Sequence, residues 1–217
     1  MALNYSKIHK THFIRQLSSS AYVVRFDRHG MNFIPGQHIL LGIDEASMRE
    51  YSVYSAVNED FFEVLIREVP DGLVSKQLHR LEPGEPVLVE NPVGFFRINK
   101  SDLDREFLFI ATGTGISPFH SMVKSYPALN YRLLHGIPNL AESYEPEDYE
   151  PERLIRCTSK SEKGEYAGRV TGWLQENQVN KDTLVFLCGN SDMILDARDI
   201  LLEKGFPPEN INTEVYF

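Results

Sequence analysis

Arg49-Glu50-Tyr51-Ser52 brings a guanidinium, a flat aromatic face and a small hydroxyl together, just after the strand-like stretch 36–43. In extended backbone Arg49 and Tyr51 share one side and Ser52 takes the other, because side chains alternate along a strand. These groups suit a flavin nucleotide: N–H donors for its pyrophosphate, a π face for its ring, and a hydroxyl near its reactive nitrogen. The tetrapeptide also suits plain packing, since an Arg-x-aromatic-Ser recurs by chance and strand tyrosines are commonly half-buried. The rest of the chain decides between the two.

A second group of residues lies in Thr112-Gly113-Thr114-Gly115-Ile116-Ser117-Pro118-Phe119, where an apolar strand runs through a glycine turn into a helical stretch. Backbone amides at such a turn, with a helix start behind them, can meet a phosphate. Pro118 stands where the third glycine of a full dinucleotide fingerprint belongs, and no acidic residue ends the second strand, so a tight strand-to-helix turn is the competing reading. Cys188-Gly189-Asn190 follows another apolar strand, at the carboxyl edge where doubly wound sheets take ligands; inert packing is the alternative for the cysteine. Glu214-Val215-Tyr216-Phe217 closes the sequence on two aromatics, either as a frayed tail or as the end of the strand that Val215 continues. The seven histidines stand singly, without metal-site spacing, so no metal is expected. Ser117, Ser121 and Ser125 lack a Gly-x-Ser-x-Gly setting, which argues against a nucleophilic hydrolase.

The elements that must position these groups change character along the chain. Short β-rich runs at 21–26, 38–43, 51–55, 62–67 and 86–90, broken by Pro35-Gly36, Asn58-Glu59-Asp60 and Pro83-Gly84, predict a small antiparallel barrel or sandwich. A short amphipathic helix over 71–81 interrupts them, with Val74, Leu78 and Leu81 as its apolar residues. Beyond residue 100, apolar strands at 107–111, 131–135, 153–157, 183–188 and 211–215 alternate with helical stretches at 116–126, 169–177 and 191–204. That pattern predicts an α/β domain with a five-stranded parallel sheet. The change of period at 99–104 divides the chain into domains over 1–100 and 101–217.

Composition narrows the function classes. At 217 residues there is room for two domains with real cores. No apolar run approaches the ~20 residues that span a bilayer. The start, Met1-Ala2-Leu3-Asn4-Tyr5-Ser6, lacks the basic-then-apolar order of a secretory signal, so a cytoplasmic location is expected. A net charge of -9 argues against a sequence-independent grip on nucleic acid. Cys157 and Cys188 are too few thiolates for an iron–sulfur cluster, so any redox role needs a separable cofactor. The acidic run 142–152 reads as a solvated loop.

Arg49-Glu50-Tyr51-Ser52, the stretch 70–78, Pro83-Gly84, Gly94-Phe95-Phe96, the glycine turn 111–118, Gly168-Arg169-Val170, Cys188-Gly189 and Glu214-Val215-Tyr216-Phe217 together resemble the ferredoxin (flavodoxin)–NADP reductase family, bacterial type. The matches keep the family's order over nearly the whole chain. The resemblance implies an N-terminal antiparallel FAD-binding β-barrel and a C-terminal NADP-binding α/β domain. In it Arg49 pairs with the FAD pyrophosphate, Tyr51 packs on one isoalloxazine face and Ser52 hydrogen-bonds near N5. Glu50, Ile66, Thr112 and Thr114 join the FAD contacts, and Leu73, Val74 and Ser75 offer amides and a hydroxyl to the pyrophosphate. Tyr216 covers the other flavin face until nicotinamide displaces it, and Phe217 packs near the folded-back adenine.

Ser52, Cys188 and Glu214 match the positions around the nicotinamide–flavin contact. Thr112, Gly113, Thr114, Gly115 and Gly189 receive the nicotinamide nucleotide, while Ser159, Lys160 and Arg169 supply a hydroxyl and two cations to its 2′-phosphate. Lys160 stands where the family usually has arginine, and Ile137-Pro138 occupies a loop where many relatives carry another. The implied activity is hydride exchange with NADP(H) and single-electron exchange with a separate ferredoxin or flavodoxin. An oxygenase reductase component, an NAD(P)H:flavin reductase and a non-catalytic flavin-holding subunit share the architecture. An acidic partner needs a basic patch, for which Lys7, Lys10 and Arg15, or Lys76 and Arg80, are candidates.

Overall fold

Every second residue of β2 (Ala21–Asp27) and β5 (Phe61–Arg67) includes an apolar side chain withdrawn from solvent: Tyr22, Val24 and Phe26 on one strand, Phe62, Val64 and Ile66 on the other. A period of two gives a pleated strand one inward face, and the pairing sets Tyr22 beside Ile66 and Val24 beside Val64. In this computed structural model, which describes residues 7–216, the sheet also takes in β1 (Ile8–Gln16), β3 (His38–Gly42), β4 (Arg49–Ser52) and β6 (Pro86–Val89), in the order β4-β3-β6-β1-β2-β5. Its pairings are antiparallel. A bridge from Val53 to Val64 joins the two ends, so the sheet closes on itself. Ile39, Leu41, Val87 and Val89 share the interior with the β2 and β5 side chains, and α1 (Val74–His79) adds Val74 and Leu78.

Two features of this unit escape the sequence pattern. β1 leaves no clear apolar alternation because its buried positions include His9 and Thr11, and its register on β2 shifts between Thr11 and Phe13. The helix predicted over 71–81 shortens to Val74–His79, since the chain before it is held in a turn by the Gly72 amide donating to the Val69 carbonyl (2.9 Å).

By contacts, the barrel unit runs to Arg97 and also takes in α2 (Ser117–Ser125); the second unit holds Ile98–Ile116 and the chain from Tyr126 onward. The His120 ring stacks on Tyr54 at 3.7 Å, Ser121 donates to the Ser55 carbonyl (2.7 Å), and Ser125 accepts from the Val57 amide (2.9 Å). The α2 serines Ser121 and Ser125 are thus anchors to barrel backbone.

The second unit is built on β7 (Glu106–Thr112), β8 (Asn130–Ile137), β9 (Leu154–Thr158), β10 (Tyr166–Ala167), β11 (Leu184–Gly189) and β12 (Ile211–Val215), in the order β10-β9-β8-β7-β11-β12. All neighbours are parallel. The five predicted strands are present, and β10 adds a sixth of two residues at the edge, too short to leave a period in the sequence. Residues of α3 (Val170–Glu176) and α4 (Ser191–Glu203), among them Trp173, Leu174, Ile194 and Leu201, share a core with Leu108, Ile110, Val185 and Leu187 of the central strands. The acidic run is a loop between β8 and β9 as expected, but its tyrosines are not solvated. Short 3-10 turns at Leu140–Glu142 and Pro146–Asp148 accompany the burial of Tyr144 and Tyr149, while Glu147 and Glu150 stay exposed. No helix of the described residues is long and apolar enough to cross a membrane.

Candidate cofactor and nucleotide sites

Antiparallel pairing with β3 sets Arg49, Tyr51 and Ser52 opposite Leu41, Ile39 and His38. Arg49 is exposed, and among the described residues its guanidinium donates only to the neighbouring Met48 carbonyl (2.7 Å). Tyr51 packs its ring against the barrel core; burial pushes its hydroxyl up to about 12, with the Arg49 charge pulling the other way. Cation and ring therefore lie close together, as strand alternation requires, and Ser52 is buried. Tyr22 donates its hydroxyl to the Ser75 carbonyl, and its own pKa is raised by burial and then by Tyr51 and Glu68. This phenol thus links the Tyr51 side of the barrel to the start of α1.

Among the described residues no side chain caps α1, and Leu73 before it is 69% exposed, so the first helix amides have no side-chain acceptor there. Ser75 accepts from the Val69 amide (3.1 Å), which leaves its own proton to donate. A Cβ on Gly72 would meet Val69 Cβ at 2.8 Å and Ser75 Oγ at 3.1 Å, so only glycine lets this loop fold so tightly. An exposed guanidinium with no acidic partner among the described residues, an aromatic face and uncapped amides in one unit fit the pyrophosphate and ring of FAD. Ile66 does not join them by its side chain, which is 1% exposed in the barrel core. Glu50 points outward, with Oε1 4.0 Å from His38 Nε2.

In the second unit, strand order reverses at β7, whose neighbours are β8 and β11; doubly wound sheets bind ligands at such a point. The Thr112 hydroxyl accepts from the Asn190 amide (3.0 Å) and ties the end of β7 to the start of α4. A Cβ on Gly189, at φ +128°, would overlap Thr112 Oγ1, and one on Gly115 would overlap the Cys188 carbonyl. The two turns therefore meet backbone to backbone, and Thr114, beside Gly115 in the chain, is half-buried. Gly113 has φ +52° and open space around its missing side chain, so the left-handed backbone is what calls for glycine there.

β11 and β12 pair Cys188 with Glu214, the Tyr216 amide donates to the Gly189 carbonyl (2.9 Å), and the Tyr216 hydroxyl bonds the Cys188 sulfur. Burial first, then the Glu214 charge, raises the Cys188 pKa far above the ordinary thiol value, so it is a neutral thiol rather than a nucleophile. Cys188, Glu214 and Tyr216 thus converge on one sheet edge, while Ser52 ends β4 in the barrel unit. Phe217 lies outside the described residues. Ser159 and Lys160 follow β9, their amides bonded to the Ile137 (3.0 Å) and Pro138 (2.9 Å) carbonyls, and Arg169 immediately precedes α3. All three are exposed, and among the described residues neither cation is paired with an acid. Sequence reasoning missed His135 on β8, whose Nε2 lies 3.0 Å from the Gly113 carbonyl; a lone histidine in a strand gives no sign of what it faces.

Residues 9–98 match the model of an oxidoreductase FAD-binding domain, and residues 109–199 that of an oxidoreductase NAD-binding domain. The chain belongs to the ferredoxin–NADP reductase family. Its two matched domains are of the oxidoreductase FAD-binding and NAD-binding kinds, in keeping with the residues described above. The flavodoxin/ferredoxin–NADP reductase of Escherichia coli is 29% identical over 192 residues, 76% of this chain and 77% of that protein. The toluate 1,2-dioxygenase electron transfer component of Pseudomonas putida is 26% identical over 94% of this chain and 65% of its own length. For flavohemoprotein A of Dictyostelium discoideum the identity is also 26%, over 85% of this chain and 52% of that protein. The chain thus spans about half to two thirds of these last two relatives. A ferredoxin NADP+ reductase from Neisseria gonorrhoeae with bound FAD and NADP shares the family fold with a TM-score of 0.86 at 21% identity, over 97% of this chain and 98% of that one.

Proposed function

We propose that this member of the ferredoxin–NADP reductase family exchanges hydride with NADP(H) and passes electrons to or from a separate ferredoxin or flavodoxin. Bound FAD would supply the junction between a two-electron donor and a one-electron acceptor. The observation that carries the reading is the convergence of Cys188, Glu214 and Tyr216 at one sheet edge. It supplies a carboxylate, a neutral thiol and an aromatic ring, groups that position a nicotinamide rather than attack it. Arg49 and the α1 amides would hold the FAD pyrophosphate, Tyr51 would support the ring, and Ser52 would offer its hydroxyl near N5. Tyr216 would shield the flavin from water until nicotinamide takes its place, with the amides of 113–115 on the nucleotide pyrophosphate. Lys160 and Arg169, uncommitted to any acid among the described residues, would recognise the 2′-phosphate.

Ferredoxin or flavodoxin is favoured as partner by the E. coli relative, which is named for both and matches over 77% of its length. A second reading, electron supply to an oxygenase, is favoured by the toluate 1,2-dioxygenase component. The discriminating experiment reduces the FAD-loaded protein with NADPH under anaerobic conditions and follows its reoxidation by purified ferredoxin, flavodoxin and a Rieske-type oxygenase separately. Fast turnover with either of the first two supports the main reading; turnover with the oxygenase alone replaces it by the second.

A further inference from the structure

We propose that His135 is a positioning residue for nucleotide binding, holding the Gly113 carbonyl inward so that the glycine turn keeps the form that receives a pyrophosphate. The proposal rests on reading residues 112–115 as that pyrophosphate turn. His135 is 1% exposed and lies on β8 beside Ala111 of β7 and Arg156 of β9. Its Nε2 is 3.0 Å from the Gly113 carbonyl, which can only accept, so Nε2 carries the proton. Among the described residues Nδ1, which is buried, has no hydrogen-bond partner, so the ring is neutral there. Burial lowers the pKa to about 4, and the Arg156 charge acts in the same direction. The groups facing the ring are the Gly113 carbonyl, the Tyr144 ring at 5.6 Å, and Arg156, whose guanidinium is already engaged by Glu165 (2.9 Å from Nε).

Two observations make this more than core packing. An apolar side chain at 135 would fill the same space without stranding a buried nitrogen, and such a nitrogen is unfavourable unless the ring gives something in return. What it gives is the bond to Gly113. Gly113 itself is not wedged by neighbours, since a Cβ there would meet nothing within 4 Å at φ +52°. At the other end, Gly115 and Gly189 fix the turn by backbone contact with Cys188 and Thr112. His135 is therefore the side chain that bonds the Gly113 carbonyl, at the first residue of the 3-10 turn Gly113–Ile116. Without its N–H, the Gly113 carbonyl loses a side-chain donor, and the first peptide of the turn loses the contact that orients the amides after it.

The test compares the FAD-loaded protein with its His135→Phe, His135→Gln and Gly113→Val variants. It measures NADP+ dissociation constants from flavin difference spectra, and kcat and KM for NADPH with ferricyanide. Loss of one hydrogen bond predicts about tenfold weaker NADP+ binding for His135→Phe, seen in KM, with kcat within about twofold. His135→Gln carries an amide donor of similar reach and should recover affinity to within about threefold of the parent. Should the phenylalanine variant not fold, His135→Met serves as the donor-free comparison. Donor-free affinity within about twofold of the parent, with Gly113→Val impaired, overturns the role of His135, as does a glutamine variant no better than the donor-free one. Normal NADP+ binding by Gly113→Val would instead show that the turn is not the pyrophosphate site, and the proposal would fall with that reading.

Discussion

At the sheet edge, Cys188 accepts a bond from the Tyr216 hydroxyl and lies beside Glu214. With its pKa pushed well above the ordinary thiol value, its use is shape and polarity at a nicotinamide subsite. In the proposed site Tyr216 competes with nicotinamide for the flavin face, so Tyr216→Ser should tighten NADP+ binding about tenfold in a spectral titration; unchanged or weaker binding would count against that stack. Replacing Lys160 and Arg169 by alanine should raise KM for NADPH at least tenfold more than KM for NADH, because only NADPH carries the 2′-phosphate. Equal losses would show that neither cation reads it. Residues became legible where their backbone period fixes direction, as with Arg49 and Tyr51 on one side of β4. Ile66 was not, because an apolar residue on an alternating strand serves a cofactor or a core equally well, and here it faces the core.

Elements were legible in proportion to how cleanly they divide apolar from polar. The helices α3 and α4, predicted at 169–177 and 191–204, form at Val170–Glu176 and Ser191–Glu203, with Arg169, Asn177, Asn190 and Lys204 at their caps. β1 was hidden because His9 and Thr11 occupy buried positions and a bulge breaks its period. That corner has a pH signature. His12 Nε2 lies 2.8 Å and His29 Nε2 3.2 Å from the Asp27 carboxylate, and the bond from His12 leads the causes that lower Asp27 from 3.8 to about 2. Glu165, bonded bidentately by Arg156, falls from 4.5 to about 2. Carboxyl pKa values depressed on folding stabilise the native state above the unfolded values, and that stabilisation is lost as pH falls through the folded ones. Urea midpoints should therefore drop as pH is lowered from about 5 to about 2, and Asp27→Asn should flatten part of that drop. A parallel displacement of the whole curve would contradict this assignment.

Over the whole molecule, the two kinds of scaffold correspond to two kinds of ligand. A closed antiparallel barrel presents Arg49, Tyr51 and the uncapped start of α1, while a parallel sheet presents its glycine turns and the Cys188, Glu214 and Tyr216 edge. In the proposed function the first set would hold the flavin and the second the nicotinamide nucleotide, one in each matched domain. The choice of acceptor left no mark in a single chain, since it depends on a surface matched to a partner rather than on a periodic pattern or turn motif. The most direct test of the central claim is an anaerobic titration of the FAD-loaded protein with NADPH, followed through the visible flavin spectrum. About one equivalent of NADPH per flavin should bleach the absorbance near 450 nm, as two-electron reduction requires. A protein that binds no FAD on reconstitution, or whose bound flavin stays oxidised in excess NADPH and NADH, would contradict the account.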